Sequence, residues 1–79
     1  METITLDHPI KLEGREVKEI TLRRPLVSDV RRANKAGKDA IDIEINMVAI
    51  ISGLPPAAIE DLDLEDYKKI QGYLSGFFG

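Results

Sequence analysis

With 79 residues, 43% of them hydrophobic and 32% charged, the chain is long enough for one globular domain and too short for two. It has no cysteine, which excludes disulfide bonds and thiolate metal sites. No apolar run approaches the roughly 18–20 residues that span a bilayer, and the N-terminus lacks the basic start of a signal peptide. The sequence therefore predicts a single intracellular domain over residues 1–79.

The charges are divided unevenly along the chain. Residues 1–38 carry nine Lys or Arg and six Asp or Glu, a net charge of +3, whereas residues 39–79 carry two and eight, a net charge of −6. Such segregation can steer a charged partner or favour self-association. The simpler interpretation is that the two halves attract each other within one fold.

The N-terminal third has the pattern of a β-hairpin. Alternating apolar residues over 3–12 predict a first strand, in which Pro9 predicts an edge, a bulge or a break because proline cannot donate to a ladder. Gly14 predicts a tight turn, and residues 17–22 predict the second strand, with Val17 out of phase. Because a lone hairpin is unstable in water, we expect it to pack on the helices that follow.

A first helix is predicted after the hairpin. Ser28 or Asp29 is suited to cap it, and Gly37 is suited to end it after about Ala36. Its periodicity places Leu26, Val30 and Ala33 inside, and Arg31, Arg32 and Lys35 outside.

The next segment fits two templates. The isoleucines at 41, 43 and 45 alternate with polar residues, as in a strand, but residues 47–51 are continuously apolar. We interpret residues 39–52 as a helix that is capped by Asp39 and ended by Gly53. A helix with apolar residues around so much of its girth is expected to be the most buried element.

Two further helices are predicted. Pro56 suits the first turn of a short helix over 57–62, and Asp63 is suited to cap the last one. The inner face of the last helix is predicted to carry Leu64, Tyr67, Ile70 and Leu74. Gly72 and Gly76 are expected to weaken its end.

The fold class is therefore α+β, with an N-terminal β-hairpin packed on about three α-helices. Apolar residues on the inner stripes of these elements form the predicted core: Leu6, Leu22, Val30, Ile45, Val48, Ile51, Leu62, Tyr67 and Ile70.

No motif for catalysis or cofactor binding is present. His8, the single histidine, is interpreted as a solvated turn residue. The acidic stretch from Asp61 resembles a calcium loop, but that loop needs glycine at its sixth position and glutamate at its twelfth, where this chain has Asp66 and Gly72. We expect no enzyme activity, no cofactor and no metal.

One alternative is a small nucleic-acid-binding regulator. A helix carrying Arg31, Arg32 and Lys35 has the charge to contact phosphates. Against this, the whole chain is acidic, with a pI of about 5.0, and no aromatic residue interleaves the basic run. We therefore favour a function without nucleic acid or membrane.

The order of these elements resembles the small tail assembly chaperones of contractile-tailed phages, the E/41/14 group. The residues that carry the resemblance are Leu6, Pro9, Gly14, Leu22, Arg23, Arg24, Pro25, Asp29 and Val30, then residues 52–56, Ile59, Leu62, Asp63, Asp66 and Tyr67. It covers the chain from about Ile4 to Leu74. The alternating stretch from Ile41 to Ile45 departs from the plainer helix expected there.

The resemblance implies a function. Members of this family are taken to bind the long, mostly helical tape measure protein of a phage or prophage during tail building and to keep it soluble. This implies a chaperone that works in the host bacterial cytoplasm and is absent from the mature virion. A helix-in-groove contact would suit such a partner, with many copies on each tape measure protein and self-association as a further option.

Apolar residues left over after the core is filled are the predicted partner-binding surface, because a small domain should not expose many large apolar groups without a use. The candidates are Ile43, Met47, Leu54, Leu74, Phe77 and Phe78. The alternative for Ile43 and Met47 is that they belong to the core.

The resemblance also implies a translational frameshift, since these chaperones are commonly made in two lengths by a ribosomal slip near the end of the short frame. Phe77 and Phe78 can be encoded as a run of T on which tRNAs re-pair after slipping. The alternative is that both rings fold back onto the hairpin and the ending is accidental.

Overall fold

The computed structural model describes residues 1–78 and contains, within them, two strands and four helices. The strands are β1 (Glu2–Leu12) and β2 (Arg15–Leu22), and the helices are α1 (Val27–Ala36), α2 (Ala40–Ser52), α3 (Pro56–Glu60) and α4 (Leu64–Phe78). An N-terminal antiparallel hairpin followed by helices confirms the predicted α+β class.

The hairpin contains a bulge where proline predicted an irregularity. Thr5 pairs with Glu19 and Ile10 pairs with Val17, so four residues of β1 face a single residue of β2. This bulge changes the phase of β1 relative to β2, which explains why Val17 is out of phase with its own strand. The two-residue turn is formed by Glu13 and Gly14, whose φ angles of 52° and 79° are both positive, as a type I′ turn requires.

Helix α1 begins differently from the prediction. Its N-cap is Leu26, and Asp29 is the third helical residue, whose carboxylate accepts a hydrogen bond from the Leu26 amide at 2.7 Å. The prediction that Leu26 lies inside is wrong, because it is 59% exposed. The helix ends at Gly37, where a Cβ atom would lie 2.6 Å from the backbone nitrogen of Ile43. Only glycine therefore allows α2 to start so close to α1.

Helix α2 confirms the helical interpretation of the isoleucine-rich segment. The Asp39 carboxylate accepts from the Asp42 amide at 2.9 Å, and Gly53 ends the helix in the left-handed conformation. Burial is uneven, however, because the C-terminal half is buried while Ile41 is 55% exposed. The expectation that α2 is the most buried element therefore holds only for its C-terminal half.

The last two helices follow the predicted order. Helix α3 is shorter than predicted, and α4 begins after Asp63, whose carboxylate accepts from the Glu65 amide at 3.0 Å. Leu64 is exposed, which corrects its predicted inward position. The helix continues through Gly72 and Gly76 to Phe78, so these glycines do not break it.

The core lies between the hairpin and the helices. Of the predicted core residues, Leu6, Leu22, Val48, Ile51, Tyr67 and Ile70 are buried, and Val30, Ile45 and Leu62 are half-buried against them. None of the helices within residues 1–78 has the length and apolar character needed to cross a membrane.

Replacing Ile51 with alanine should lower the free energy of unfolding by about 2–4 kcal/mol, because Ile51 is buried and the neighbouring side chains cannot fully close the space. Ile41→Ala on the same helix is the matched control and should cost less than about 1 kcal/mol, because that side chain is exposed. Urea denaturation of both variants measures the difference. Equal losses would contradict the facing of α2.

Candidate partner-binding groove

A buried carboxylate fixes the junction between the hairpin and α1. Asp29 is fully buried and accepts two hydrogen bonds from the guanidinium of Arg23, at 2.7 and 2.8 Å, and another from Arg32. The Arg23 hydrogen bonds outweigh the effect of burial and hold the pKa of Asp29 well below its usual range. The Arg23 amide also donates to the carbonyl of Ile51 at 3.1 Å, which ties the same junction to α2.

A second buried carboxylate fixes α4 on the bulge of β1. Asp66 accepts hydrogen bonds from the amides of Asp7 and His8, each at 2.9 Å, and lies 3.2 Å from the Nζ of Lys69. Burial alone would raise the pKa of Asp66, but the two amides and Lys69 lower it. The bulge therefore presents two amides that a single side chain of α4 satisfies.

An open groove lies between α1, α2 and α4. It has a volume of about 500 Å³, within the range of ligand-binding clefts. Each helix contributes residues at helical spacing to its walls. The lining residues are Val30, Ala33 and Asn34 from α1, Ala40, Ile43, Glu44 and Met47 from α2, and Gln71, Leu74, Ser75 and Phe78 from α4.

Glu44 is the single charged residue among these lining residues, and its carboxylate is already engaged. Its Oε1 atom accepts from the hydroxyl of Tyr67 at 2.6 Å and from Nε2 of Gln71 at 2.9 Å. Burial, together with the neighbouring carboxylate of Glu44, raises the pKa of Tyr67. These hydrogen bonds join α2 to α4 and keep the two helices at a fixed separation beside the groove.

Four of the six predicted partner-binding residues line this groove: Ile43, Met47, Leu74 and Phe78. Met47 and Leu74 are 5% and 6% exposed, so the alternative that Met47 belongs to the core is confirmed, and Leu74 is buried as expected for the inner face of the last helix. They form part of the core and of the groove wall at once. Ile43 is half-buried and Phe78 is exposed.

The other two predicted residues lie elsewhere. Leu54 is half-buried and packs against the core beside α3. The ring of Phe77 lies edge-on to Tyr73, with centroids 5.1 Å apart, and the guanidinium carbon of Arg24 is 4.9 Å from its centroid. Phe77 therefore packs back onto the hairpin exit, whereas Phe78 does not.

Sequence reasoning missed the polar and small members of the groove, which are Asn34, Ala40, Glu44, Gln71 and Ser75. A usable signal was present, because positions 71, 74, 75 and 78 follow the i, i+3, i+4, i+7 spacing of one helix face. The partner-binding residues were predicted from large apolar side chains alone, so this periodicity was not used.

The attraction between the two oppositely charged halves stays a prediction, although Lys69 pairs with Asp7 across them at 2.9 Å. Within residues 1–78, no ion pair joins the basic residues of 23–38 to the acidic residues of 39–67. Arg23 and Arg32 instead pair with Asp29 inside the basic segment. Arg31 and Lys35 form no ion pair in the described part of the chain.

One group of side chains has the residue types of a metal site. His8 Nε2 lies 3.8 Å from Asp63 Oδ2 and 4.0 Å from Glu65 Oε1. All three residues are exposed, and Asp63 already caps α4. His8 is solvated, as predicted, but it lies in the bulge of β1 rather than in a turn.

The geometry defines a small α+β domain with an unfilled groove between three helices. Over residues 3–79 the chain matches the family described as phage tail assembly chaperone proteins, E, or 41 or 14. Because the match covers nearly the whole chain, the chain belongs to this family, and the resemblance seen in the sequence is confirmed. Comparisons with curated proteins and with solved structures found no significant match.

The two buried carboxylates predict loss of stability in acid. Their pKa values are lower in the folded chain than the ordinary value of about 3.9. Ionisation therefore stabilises the fold above about pH 4, and this contribution is lost as the pH falls through the folded-state pKa values. We expect the free energy of unfolding to decrease between about pH 5 and about pH 2.

Asp66→Asn keeps the shape of the side chain but cannot ionise, so it should destabilise the chain at pH 7 and flatten the acid profile. Asp61→Asn is the control, because Asp61 is exposed and its side chain accepts no hydrogen bond from residues 1–78. Chemical denaturation across the pH range measures both profiles. An unchanged slope in Asp66→Asn would show that Asp66 does not carry the effect.

Proposed function

We propose that this tail assembly chaperone binds a helical segment of the phage tape measure protein in the groove between α1, α2 and α4. The family membership supports a role in tail assembly, and the groove supports the mode of binding. The chaperone works in the host bacterial cytoplasm, leaves before the virion is complete, and acts by binding rather than by catalysis.

The single observation that carries this proposal is the arrangement of the groove walls. Three helices direct stripes of mainly apolar residues at a space that none of the described elements fills. A helix of the partner protein that carries an apolar stripe would bury these walls, as in helix-in-groove recognition. Met47 suits such a site, because its flexible side chain adapts to irregular helix faces.

Only two of the three residues predicted to contact nucleic-acid phosphates are available for that contact. Arg32 is engaged with the buried Asp29, so only Arg31 and Lys35 of the proposed basic helix are free of ion pairs within residues 1–78. No observation favours this function over the chaperone.

The translational frameshift remains a proposal about the gene. Gly79, which follows the two phenylalanines, lies outside the described residues. Because Phe77 packs on Tyr73 and Arg24, a longer product would continue from an anchored helix end. A TTC codon at Phe77, or no overlapping downstream frame, would contradict the proposal.

Ser75→Trp tests the groove, because Ser75 is exposed on its wall and a tryptophan there would occupy the space of the bound helix. We expect the variant to fold normally and to weaken binding of the tape measure protein from the same phage by at least about tenfold. Lys11→Trp on the exposed face of β1 is the control. Co-expression followed by affinity purification, with thermal melting of each variant, measures both effects.

Equal recovery of the tape measure protein with wild type, Ser75→Trp and Lys11→Trp would rule out this groove as the binding site. Loss of the tape measure protein with both tryptophan variants would indicate a non-specific effect of the added ring.

A further inference from the structure

One edge of the groove is bordered by a basic stripe on α1. Val30 and Asn34 line the groove, and the adjacent stripe on the same helix carries Val27, Arg31 and Lys35 at i, i+4 spacing. We call these last three residues the basic flank. All three are exposed, Val27 at 87%, and the long side chains of Arg31 and Lys35 can reach a molecule seated in the groove.

The charges of the basic flank are not used inside the fold. Arg31 and Lys35 form no ion pair with any residue of 1–78, although residues 39–67 carry eight carboxylates and no Lys or Arg. The basic flank is therefore free to pair with negative charge on another molecule.

The lining of the groove carries one charge. Glu44 is negative, and its carboxylate accepts hydrogen bonds from the neutral side chains of Tyr67 and Gln71. The edge formed by α4 beside the groove carries Ser75 and, two turns earlier on the same stripe, the exposed Lys68. Negative side chains of a bound helix are therefore favoured at the edges of the groove and not at the wall that carries Glu44.

We propose that the groove takes an amphipathic helix that carries Asp or Glu beside its apolar stripe, placed to pair with Arg31 and Lys35. This inference rests on the proposed function and names the chemistry of the tape measure segment that is recognised. Exposed ion pairs contribute little each, so they select among helices while the apolar stripe supplies most of the binding.

The net charge of the chain makes this inference easy to separate from a general electrostatic effect. The whole chain carries a charge of −3, so its overall field favours a basic peptide over an acidic one. A preference for an acidic helix can arise only from a local basic surface.

The probes are three helical peptides of about 18 residues, acetylated and amidated, with leucine at the same stripe positions. They differ only at the positions beside the stripe, which are Glu, Gln or Lys. We expect the Glu peptide to bind wild type about three- to tenfold more tightly than the Gln peptide, and the Lys peptide to bind most weakly. The three affinities should converge as NaCl rises from about 50 to about 500 mM. Fluorescence anisotropy with the full chain measures all three.

Arg31→Glu combined with Lys35→Glu should invert this order, so that the Lys peptide binds best. Lys11→Glu combined with Lys18→Glu is the matched control, since it changes the net charge equally on exposed positions of the hairpin. It should keep the wild-type order. Inversion by both double variants would mean a long-range effect and would overturn the role of the basic flank.

The other outcomes separate this inference from the proposed function. Equal binding of the three peptides, abolished by Ser75→Trp, would overturn the charge preference and leave the groove as a helix-binding site. No binding of any peptide would overturn both. Concentration-dependent self-association that excludes the peptides would identify a second copy of this chain as the occupant. Displacement of the Glu peptide by duplex DNA would identify the flank as a phosphate-binding surface. Either result would overturn the proposal.

Discussion

The carboxylate of Asp66 joins the only irregular part of the hairpin to the last helix. The bulge in β1 takes the amides of Asp7 and His8 out of the ladder, and unpaired amides near a core are costly. Asp66 satisfies both, and α4 in turn packs chiefly on β1. This contact therefore places α4 against the hairpin, and α4 forms one of the three walls of the groove.

Asp29 has the corresponding role at the other end of the hairpin. Through Arg23 it fixes the start of α1 against the exit of β2, and the Arg23 backbone extends the connection to Ile51 of α2. No buried side-chain nitrogen or oxygen within residues 1–78 lacks a hydrogen-bond partner. Because buried ion pairs add little net stability, we assign the stability of the fold to its apolar core and the placement of the helices to these two carboxylates.

Local signals in the sequence were sufficient to predict the order and type of the elements. Pro9 predicted an edge, a bulge or a break, of which the structure shows the bulge, and Asp39 and Gly53 bounded α2 correctly although its isoleucines alternate as in a strand. For α2, the capping residues and the length of the segment were better evidence for a helix than the short alternating stretch was for a strand. Capping residues are informative because the backbone groups at both ends of a helix need hydrogen-bond partners.

The parts that depend on distant contacts could not be predicted. The contact of Asp66 with the bulge was not predicted, because its amide partners lie nearly 60 residues away along the chain. Asp29 was interpreted as a helix cap for the same reason. The groove was missed as a unit because its walls come from three helices, and the burial of Met47 and Leu74 depends on how those helices are placed.

The proposed contact with the tape measure protein lies on the three helix faces around the groove and not on the hairpin. The most direct measurement is a titration of the ¹⁵N-labelled chain with soluble helical fragments of that protein, followed by amide chemical shifts. We expect shifts concentrated at Ala33, Ile43, Leu74 and their neighbours in the groove, with the amides of β2 unchanged. Shifts centred on the hairpin, with these groove amides unaffected, would contradict it.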